Sequence, residues 1–145
     1  MIKRKKFDPR HLDGLEPTSV FFGENGINTK EHFMDHPHNF AHTLYTEDDL
    51  CLGAVGGTVL WAGVAEVWAI FSKHIYTCPV QFTKGVLSVI QDYEQALTLH
   101  RVQAYVLEGE AMAYRWATTL GFASEGLLKA FGEDRRNYNI MARVR

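Results

Sequence analysis

The sequence predicts an α/β (α+β) protein in which a mixed β-sheet is flanked by helices. A nearly continuous apolar run, Ala65–Phe71 (AEVWAIF), is typical of a central strand that is buried on both faces. Apolar residues then recur at helical spacing from Phe82 to Leu97, and strand-like and helix-like segments alternate to the C-terminus. At 145 residues, we expect residues 1–145 to form a single domain with one hydrophobic core.

The bulk composition is that of an ordinary globular protein. The chain is 46% hydrophobic and 22% charged, with a formal net charge of -2, so the charge balance does not indicate a nucleic-acid partner. No apolar run reaches the roughly 20 residues that cross a membrane, and none follows the basic start Met1–Lys6 as a signal peptide requires. Cys51 and Cys78 are too few for a disulfide framework, so we expect free thiols in a reducing compartment.

The first forty residues are polar and only weakly periodic. Ile2–Phe7 is predicted to be a strand. Pro9–Leu15 is predicted to be a short helix with Asp8 as its N-cap, because proline suits the first helical position. A second short helix is predicted over Thr29–Met34, capped by Asn28.

The pattern of apolar residues becomes more regular from Phe40 onward. Phe40–Tyr45 and Leu50–Trp61 are predicted to be strands joined by the turn Thr46–Asp49. The buried strand Ala65–Phe71 comes next, and the long amphipathic helix that follows it is expected to end near Leu99.

A second strand–helix unit and two strands close the chain. Arg101–Val106 is a predicted strand, and Glu110 places negative charge at the start of the next helix, where the helix dipole favours it. Gly121 ends that helix as a left-handed cap. Strands are predicted over Ala123–Phe131 and Arg135–Val144. The inner stripe of the helix is Ala113, Trp116, Ala117 and Leu120.

The segment Glu110–Phe122 (EAMAYRWATTLGF) is similar to the N-x-x-A … L-Y-x-x-L-G-F signature of the Gcn5-related N-acetyltransferase (GNAT) superfamily. Ala113 and the ending Leu120–Phe122 match that signature. The resemblance implies a mostly antiparallel, twisted sheet whose cofactor-binding half runs from Ala65 to Leu120. Helices on both faces of the sheet are the simplest packing of the predicted elements.

A narrower resemblance is to a phage-encoded branch of this superfamily, which includes the small internal virion protein of T7-like podoviruses. It is carried by Glu66–Ile70 (EVWAI), by Arg115–Phe122 and by Glu125 with Gly126. The resemblance implies a protein partner, either a virion component or a host protein, and a location in the cytoplasm of the infected bacterium or in the virion. No nucleic-acid or membrane partner is expected.

The superfamily resemblance implies acetyl-CoA as the bound cofactor. The end of the central strand would offer its backbone to the pantetheine arm, and charged or hydroxyl side chains after it would face the phosphates. In place of the glycine-rich loop of the family, however, the chain carries bulky residues between Ser72 and Gly85, which favour a filled groove. The candidate cofactor-binding residues are Ile70, Phe71, Ser72, Lys73, Thr77 and Lys84, and Thr77 is also a candidate helix cap.

Two candidate catalytic residues follow from the same resemblance. Glu66 lies on the central strand, where a general base of the family can lie, and Tyr114 is a candidate for the acid that protonates the leaving thiolate. The usual tyrosine acid of the family falls on Ala117. The alternatives are a paired strand carboxylate for Glu66 and a packing role for Tyr114.

Other polar clusters have simpler interpretations. His32, His36, His38 and His42 are expected to be solvated loop residues, and no metal site is predicted. The basic run Lys3–Lys6 is expected to be a charged edge strand. The tryptophans are expected to be core residues: Trp61, Trp68 and Trp116.

Two functions remain open at this point. One is a non-catalytic or weakly active scaffold of the GNAT fold that acts through protein contacts. The other is an active acetyl-CoA-dependent N-acetyltransferase that modifies a protein or a small amine. They differ in whether the gap between strands Ala65–Phe71 and Arg101–Val106 is open or is plugged by Tyr76, Phe82 or Trp116.

Overall fold

The strands and helices of the chain follow the predicted order closely. A computed structural model describes residues 2–13, 17–20, 40–132 and 134–145. The strands are β1 (Lys3–Lys6), β2 (Pro17–Val20), β3 (Phe40–Tyr45), β4 (Cys51–Trp61), β5 (Val64–Ser72), β6 (Arg101–Leu107), β7 (Ala123–Leu128) and β8 (Tyr138–Val144). The helices are α1 (Pro79–Ala96) and α2 (Ala111–Thr119), and two 3-10 turns cover Pro9–Leu12 and Lys73–Thr77.

The described strands join in one mixed sheet. Its order is β1-β3-β4-β5-β6-β8-β7, and β2 pairs with β5 outside this path. The β5–β6 pair is parallel, and the other pairs are antiparallel. The predicted fold class, a mixed and mostly antiparallel sheet flanked by helices, is therefore confirmed. β1 lies at one edge, as the basic run Lys3–Lys6 predicted.

Alternate residues of β5 belong to two different core clusters. Val67 and Phe71 share the large cluster with residues of both α1 and α2, whereas Trp68 and Ile70 belong to the cluster on the opposite face. Both described helices therefore cover the same face of the sheet. The prediction of helices on both faces stays a prediction, because the N-terminal helix that it includes lies outside the described residues. α1 and α2 share one face because their apolar stripes meet each other as well as the sheet.

The second face is covered by the N-terminal segment. The ring of Phe7 meets Trp68 edge-on at a centroid distance of 5.3 Å. Asp8 caps the following turn as predicted, but Pro9–Leu12 is a 3-10 turn and not an α-helix. The predicted helix Thr29–Met34 lies outside the described residues.

Trp61 differs from its prediction. It stands at the end of β4 with 65% of its surface exposed, so it is not a core residue. Trp68 is buried as predicted, at 4% exposure. β7 also ends earlier than expected, at Leu128, and Phe131 lies in the loop that follows. Gly121 has a φ of +92°, which confirms the left-handed cap after α2.

A buried ion pair connects α1 to β8 and to the end of α2. Glu94 is only 2% exposed, and its carboxylate accepts two hydrogen bonds from Arg143, with Nη2–Oε1 at 2.9 Å and Nε–Oε2 at 3.2 Å. The remaining guanidinium nitrogen, Nη1, donates to the backbone oxygen of Leu120. One guanidinium thus joins three elements of the helix-covered face.

A histidine–tyrosine contact joins α1 to β3. The Nε2 atom of His42 lies 2.8 Å from the hydroxyl of Tyr93, and Tyr93 stacks on Phe40 at 4.4 Å. Burial lowers the pKa of His42 below its ordinary 6.5, and the charge of Arg4 lowers it further. The neutral imidazole is therefore the form that the folded chain prefers.

No helix of the described ranges is long and apolar enough to cross a membrane. Cys51 and Cys78 are both free thiols, as predicted.

Replacing Glu94 with alanine should destabilise the fold strongly. The substitution leaves the Arg143 guanidinium buried without its carboxylate, which costs about 3–5 kcal/mol of unfolding free energy. Asp92→Ala is the matched control, because Asp92 lies on the same helix and its ion pair with Arg4 is exposed, so the expected loss is under about 1 kcal/mol. Urea denaturation measures the loss of unfolding free energy in both variants. Equal losses would contradict a larger contribution from the buried pair.

The stability of the fold should fall when the pH is lowered through about 6.5. Because the folded chain disfavours protonated His42, the unfolded chain takes up that proton first, and the free energy of unfolding decreases in the window just below 6.5. His42→Gln should flatten this dependence. Denaturation curves at a series of pH values compare the two proteins, and an unchanged pH slope in the variant would contradict the assignment.

Candidate functional site

The two parallel strands at the centre of the sheet separate after a short paired stretch. Pairing ends at Glu66 and Gln103, although β5 continues to Ser72 and β6 to Leu107. Over the rest of these two fully described strands no backbone pairing joins them, so they form a fork that opens toward their carboxyl ends. The paired residues are Val64–Arg101, Ala65–Val102 and Glu66–Gln103.

β2 occupies the edge of β5 inside this fork. β4 pairs with β5 from Val64 to Phe71 and thereby takes one edge of the strand. A strand has only two hydrogen-bonding edges, so β2 must lie on the one that faces β6. The backbone predicted to bind pantetheine is thus paired with another part of the chain. The pairs are Pro17–Ser72, Ser19–Phe71 and Val20–Ile70.

A cavity of about 180 Å³ lies on the helix-covered face, where the end of β5 meets both helices. Tyr76, Phe82 and Trp116, the three residues considered as plugs, form part of its wall, so space remains between them. The lining is almost entirely apolar, which suits an extended organic arm better than a free charged group. The lining residues are Phe71, Ile75, Tyr76, Pro79, Phe82, Thr83, Met112, Ala113 and Trp116.

Trp116 is held firmly in this wall. Its ring meets Phe71 edge-on at 4.5 Å and stacks on Phe82 at 6.0 Å. The indole Nε1 donates a hydrogen bond of 3.0 Å to the hydroxyl of Thr83 on α1. Because both its apolar body and its polar tip have partners, Trp116 shapes the cavity as a fixed wall.

The start of α1 lies beside the cavity without a side-chain cap. Its N-cap residue is Cys78, which makes no capping hydrogen bond. Thr77 was predicted to cap the helix but does not, because its hydroxyl donates to the backbone oxygen of His74 at 2.7 Å. The first-turn N–H groups of α1 therefore keep their capacity for an anion. Lys73 and Lys84 are both exposed near this helix end.

The three candidate residues at the end of β5 have different surroundings. Ile70 belongs to the cluster on the face away from the helices, and Phe71 lines the cavity. The side chain of Ser72 is used within the fold, because its hydroxyl donates to the oxygen of Cys51 at 3.1 Å and accepts from the N–H of His74. Any contact of Ser72 with a ligand would therefore be through its backbone.

Glu66 stands at the closed end of the fork, on the face opposite the cavity. The hydroxyl of Tyr105 on β6 donates a short hydrogen bond to its carboxylate. The amide of Gln103 lies 3.5 Å from the same carboxylate oxygen and 3.2 Å from the Tyr105 hydroxyl. The ring of Phe131 covers Tyr105 at 4.7 Å. Glu66 is thus a half-buried carboxylate in a small polar group with an aromatic rim.

Burial, the hydrogen bond to Glu66 and the charge of that carboxylate together raise the pKa of Tyr105 to about 12. The hydroxyl consequently stays protonated near neutral pH and remains a donor. It holds one oxygen of Glu66 in place.

Tyr114 and Glu66 are not brought together. α2 buries Ala113 and Ala117 in the core cluster of the helix-covered face, whereas Glu66 points to the other face. Tyr114 is 38% exposed on the outer side of α2. Ala117, where the family signature has tyrosine, is fully buried, so the core leaves no room there for a larger side chain.

Two features of the site were not predicted from the sequence. The alternation in RVQAYV places Gln103 and Tyr105 on one face of β6, and the register of a parallel pair would have set them beside Glu66. β2 was missed because the four residues Pro17–Val20 give too short a pattern.

Within the part of the chain that the structure describes, no three His, Cys, Asp or Glu side chains come together as a metal site requires. His42 contacts Tyr93, and the other three histidines of the predicted cluster lie outside the described ranges.

The sequence matches no protein-family model and no curated protein. The structure, in contrast, is similar to solved acetyltransferases. An acetyltransferase of the GNAT family from Bacillus anthracis superposes with a TM-score of 0.74 at 14% identity, covering 99% of this chain and 94% of that one. A chimera of the spermidine N-acetyltransferase SpeG from Vibrio cholerae and hSSAT gives 0.75 at 15% identity, covering 99% and 95%. SpeG from Vibrio cholerae in complex with manganese ions gives 0.69 at 17%, covering 99% and 92%.

These sequence identities are too low to assign an activity to this chain, but the superpositions span nearly the whole of it. The protein therefore has the fold of the GNAT acetyltransferases, with the fork between β5 and β6 at its centre.

Proposed function

We propose that this chain is an N-acetyltransferase that takes its acetyl group from acetyl-CoA and uses the β5–β6 fork as its site. The observation that carries the proposal is the fork itself. It has an apolar cavity at its open end on one face and the carboxylate of Glu66 at its closed end on the other. Donor and acceptor can thus approach from opposite faces and meet between the strands.

The helix-covered face supplies the features that a CoA thioester needs. Phe71 and Trp116 give apolar surface for the pantetheine arm. The uncapped start of α1, with Lys73 and Lys84 nearby, suits the diphosphate. From Phe71 back to Glu66, β5 covers roughly 16 Å, so an extended arm is required and a compact ligand would not reach.

The reaction needs two proton transfers, one from the attacking amine and one to the leaving thiolate. Acetyl-CoA supplies an acetyl carbon activated as a thioester. Glu66 accepts the proton that the attacking amine loses as its nitrogen bonds to that carbon. When the C–S bond breaks, the thiolate of CoA leaves with the bonding electrons and takes its proton from water, because Tyr114 lies on the outer side of α2 and not in the cavity wall. Tyr105 keeps the Glu66 carboxylate oriented through its hydrogen bond.

A non-catalytic scaffold is the second candidate, and one observation favours it. Tyr76 and Met112, which line the cavity, are large hydrophobic residues that are exposed by 53% and 56%. Such an exposed surface suits a protein partner as well as a ligand. On this alternative the partner is a virion component or a host protein, and the chain acts in the infected cell or in the particle, as the phage resemblance implies.

Calorimetric titration with acetyl-CoA separates the two candidates. The enzyme should bind acetyl-CoA at micromolar concentration, and the double variant Lys73→Ala/Lys84→Ala should weaken binding by roughly tenfold because it removes two charges near the phosphates. Lys5→Ala, on the distant edge strand β1, is the matched control and should change nothing. No heat of binding at millimolar acetyl-CoA would exclude the enzyme and leave the scaffold.

Glu66→Gln should slow transfer without weakening cofactor binding. Loss of the base is expected to reduce kcat by roughly 10²–10⁴ while the Kd for acetyl-CoA stays unchanged. The assay follows thiol release, with spermidine as the probe amine, because a protein of similar fold is a spermidine N-acetyltransferase.

Glu125→Gln is the control for this experiment, because Glu125 is an exposed carboxylate that pairs with Arg101 on the same sheet. In Glu66→Gln the pKa of Tyr105 should also fall from about 12, since the carboxylate charge that helps to raise it is gone. Equal rates for wild type and Glu66→Gln would remove Glu66 from the mechanism.

A further inference from the structure

We infer that β2 is an internal occupant of the cofactor site, a strand that must leave the fork before a pantetheine arm can bind. The inference rests on the proposed function, and it adds to it that the chain limits its own access to CoA thioesters. The contact responsible is the antiparallel pairing of Pro17–Val20 with Ile70–Ser72.

The first step of the argument is that only one edge of β5 can receive the arm. Pantetheine carries two amides in an extended chain, and such a ligand binds a strand as an added strand would. β4 pairs with β5 from Val64 to Phe71 and leaves no room on its side. The opposite edge is bonded to β6 up to Glu66, so the amides can pair only further along, inside the fork.

The second step is that β2 uses this same stretch of edge. Its partners Ile70, Phe71 and Ser72 are the last residues of β5, next to the cavity and the start of α1. A backbone N–H or C=O that is bonded to β2 cannot serve an amide of the arm at the same time. Binding of β2 and binding of pantetheine are therefore mutually exclusive.

The third step is that β2 is held weakly enough to leave. It is four residues long and pairs with no other strand among the described residues. Its register is irregular between Pro17 and Ser19, and Pro17 has no N–H to donate. Short, singly paired segments open at lower free energy than the strands of the core. The apparent Kd then equals the intrinsic Kd divided by the fraction of chains in which β2 is displaced.

A proline in β2 tests the inference by weakening the pairing. Ser19→Pro and Val20→Pro are made separately, because the N–H groups of successive residues point to opposite edges and only one of them serves β5. At least one variant should bind acetyl-CoA more tightly than wild type, by roughly tenfold, the factor for one or two lost hydrogen bonds. Lys5→Pro in β1, another strand with a single partner, is the matched control and should leave the affinity unchanged.

A reversible lock tests the same contact in the opposite direction. Val20→Cys and Ile70→Cys form a directly opposed pair across the two strands, made in a chain whose Cys51 and Cys78 are replaced by serine. The oxidised form should bind acetyl-CoA at least roughly tenfold more weakly than the same protein after reduction. Because the oxidised and reduced forms are the same protein, recovery of binding after reduction shows that the substitutions did not disrupt the fold.

The outcomes separate this inference from the proposed function. If wild type binds acetyl-CoA and the oxidised lock binds it equally well, β2 does not block the site, although the proposed function stands. If neither wild type, the proline variants nor the reduced lock binds at millimolar acetyl-CoA, both ideas are wrong. Tighter binding by a proline variant together with weaker binding by the oxidised lock supports both.

Discussion

The end of the parallel pairing between β5 and β6 is the constraint on which the rest of the site depends. While the two strands are paired, up to Glu66 and Gln103, the sheet is a continuous barrier between its faces. Once they diverge, the barrier opens, and a group on one face can be reached from the other. The cavity, the uncapped helix start and the half-buried carboxylate are functional candidates only because they surround this opening.

Much of the fold could be predicted from the sequence because strong periodicities mark it. β5 is apolar except for Glu66 and Ser72, because both of its faces are covered, and α1 and α2 show the stripes by which they pack on one face. Periodicity says which side of a helix is buried and not which side of the sheet it covers, so the face that α1 and α2 share could not be predicted from it. Trp61 was expected in the core because a strand pattern does not show that the last residue of the strand lies beyond the packed core.

The site was less predictable, since it depends on contacts between distant segments. Glu66 was singled out from its place on the central strand, but its partner Tyr105 needs the exact register of β5 against β6. Threonine is a residue type that can cap a helix, but the hydroxyl of Thr77 donates to the backbone oxygen of His74 instead. No local signal could have shown that Pro17–Val20 would pair inside the fork, because the pairing spans some fifty residues of sequence.

The position of β8 has a consequence for how the chain is made. β8 is the last strand in sequence, but in the sheet it lies between β6 and β7. During synthesis, therefore, β7 cannot pair with β8 until Tyr138–Val144 has emerged. The ion pair of Glu94 with Arg143 cannot form before then either. The helix-covered core can begin to assemble earlier, but β7 joins the sheet only after Tyr138–Val144 has been synthesised.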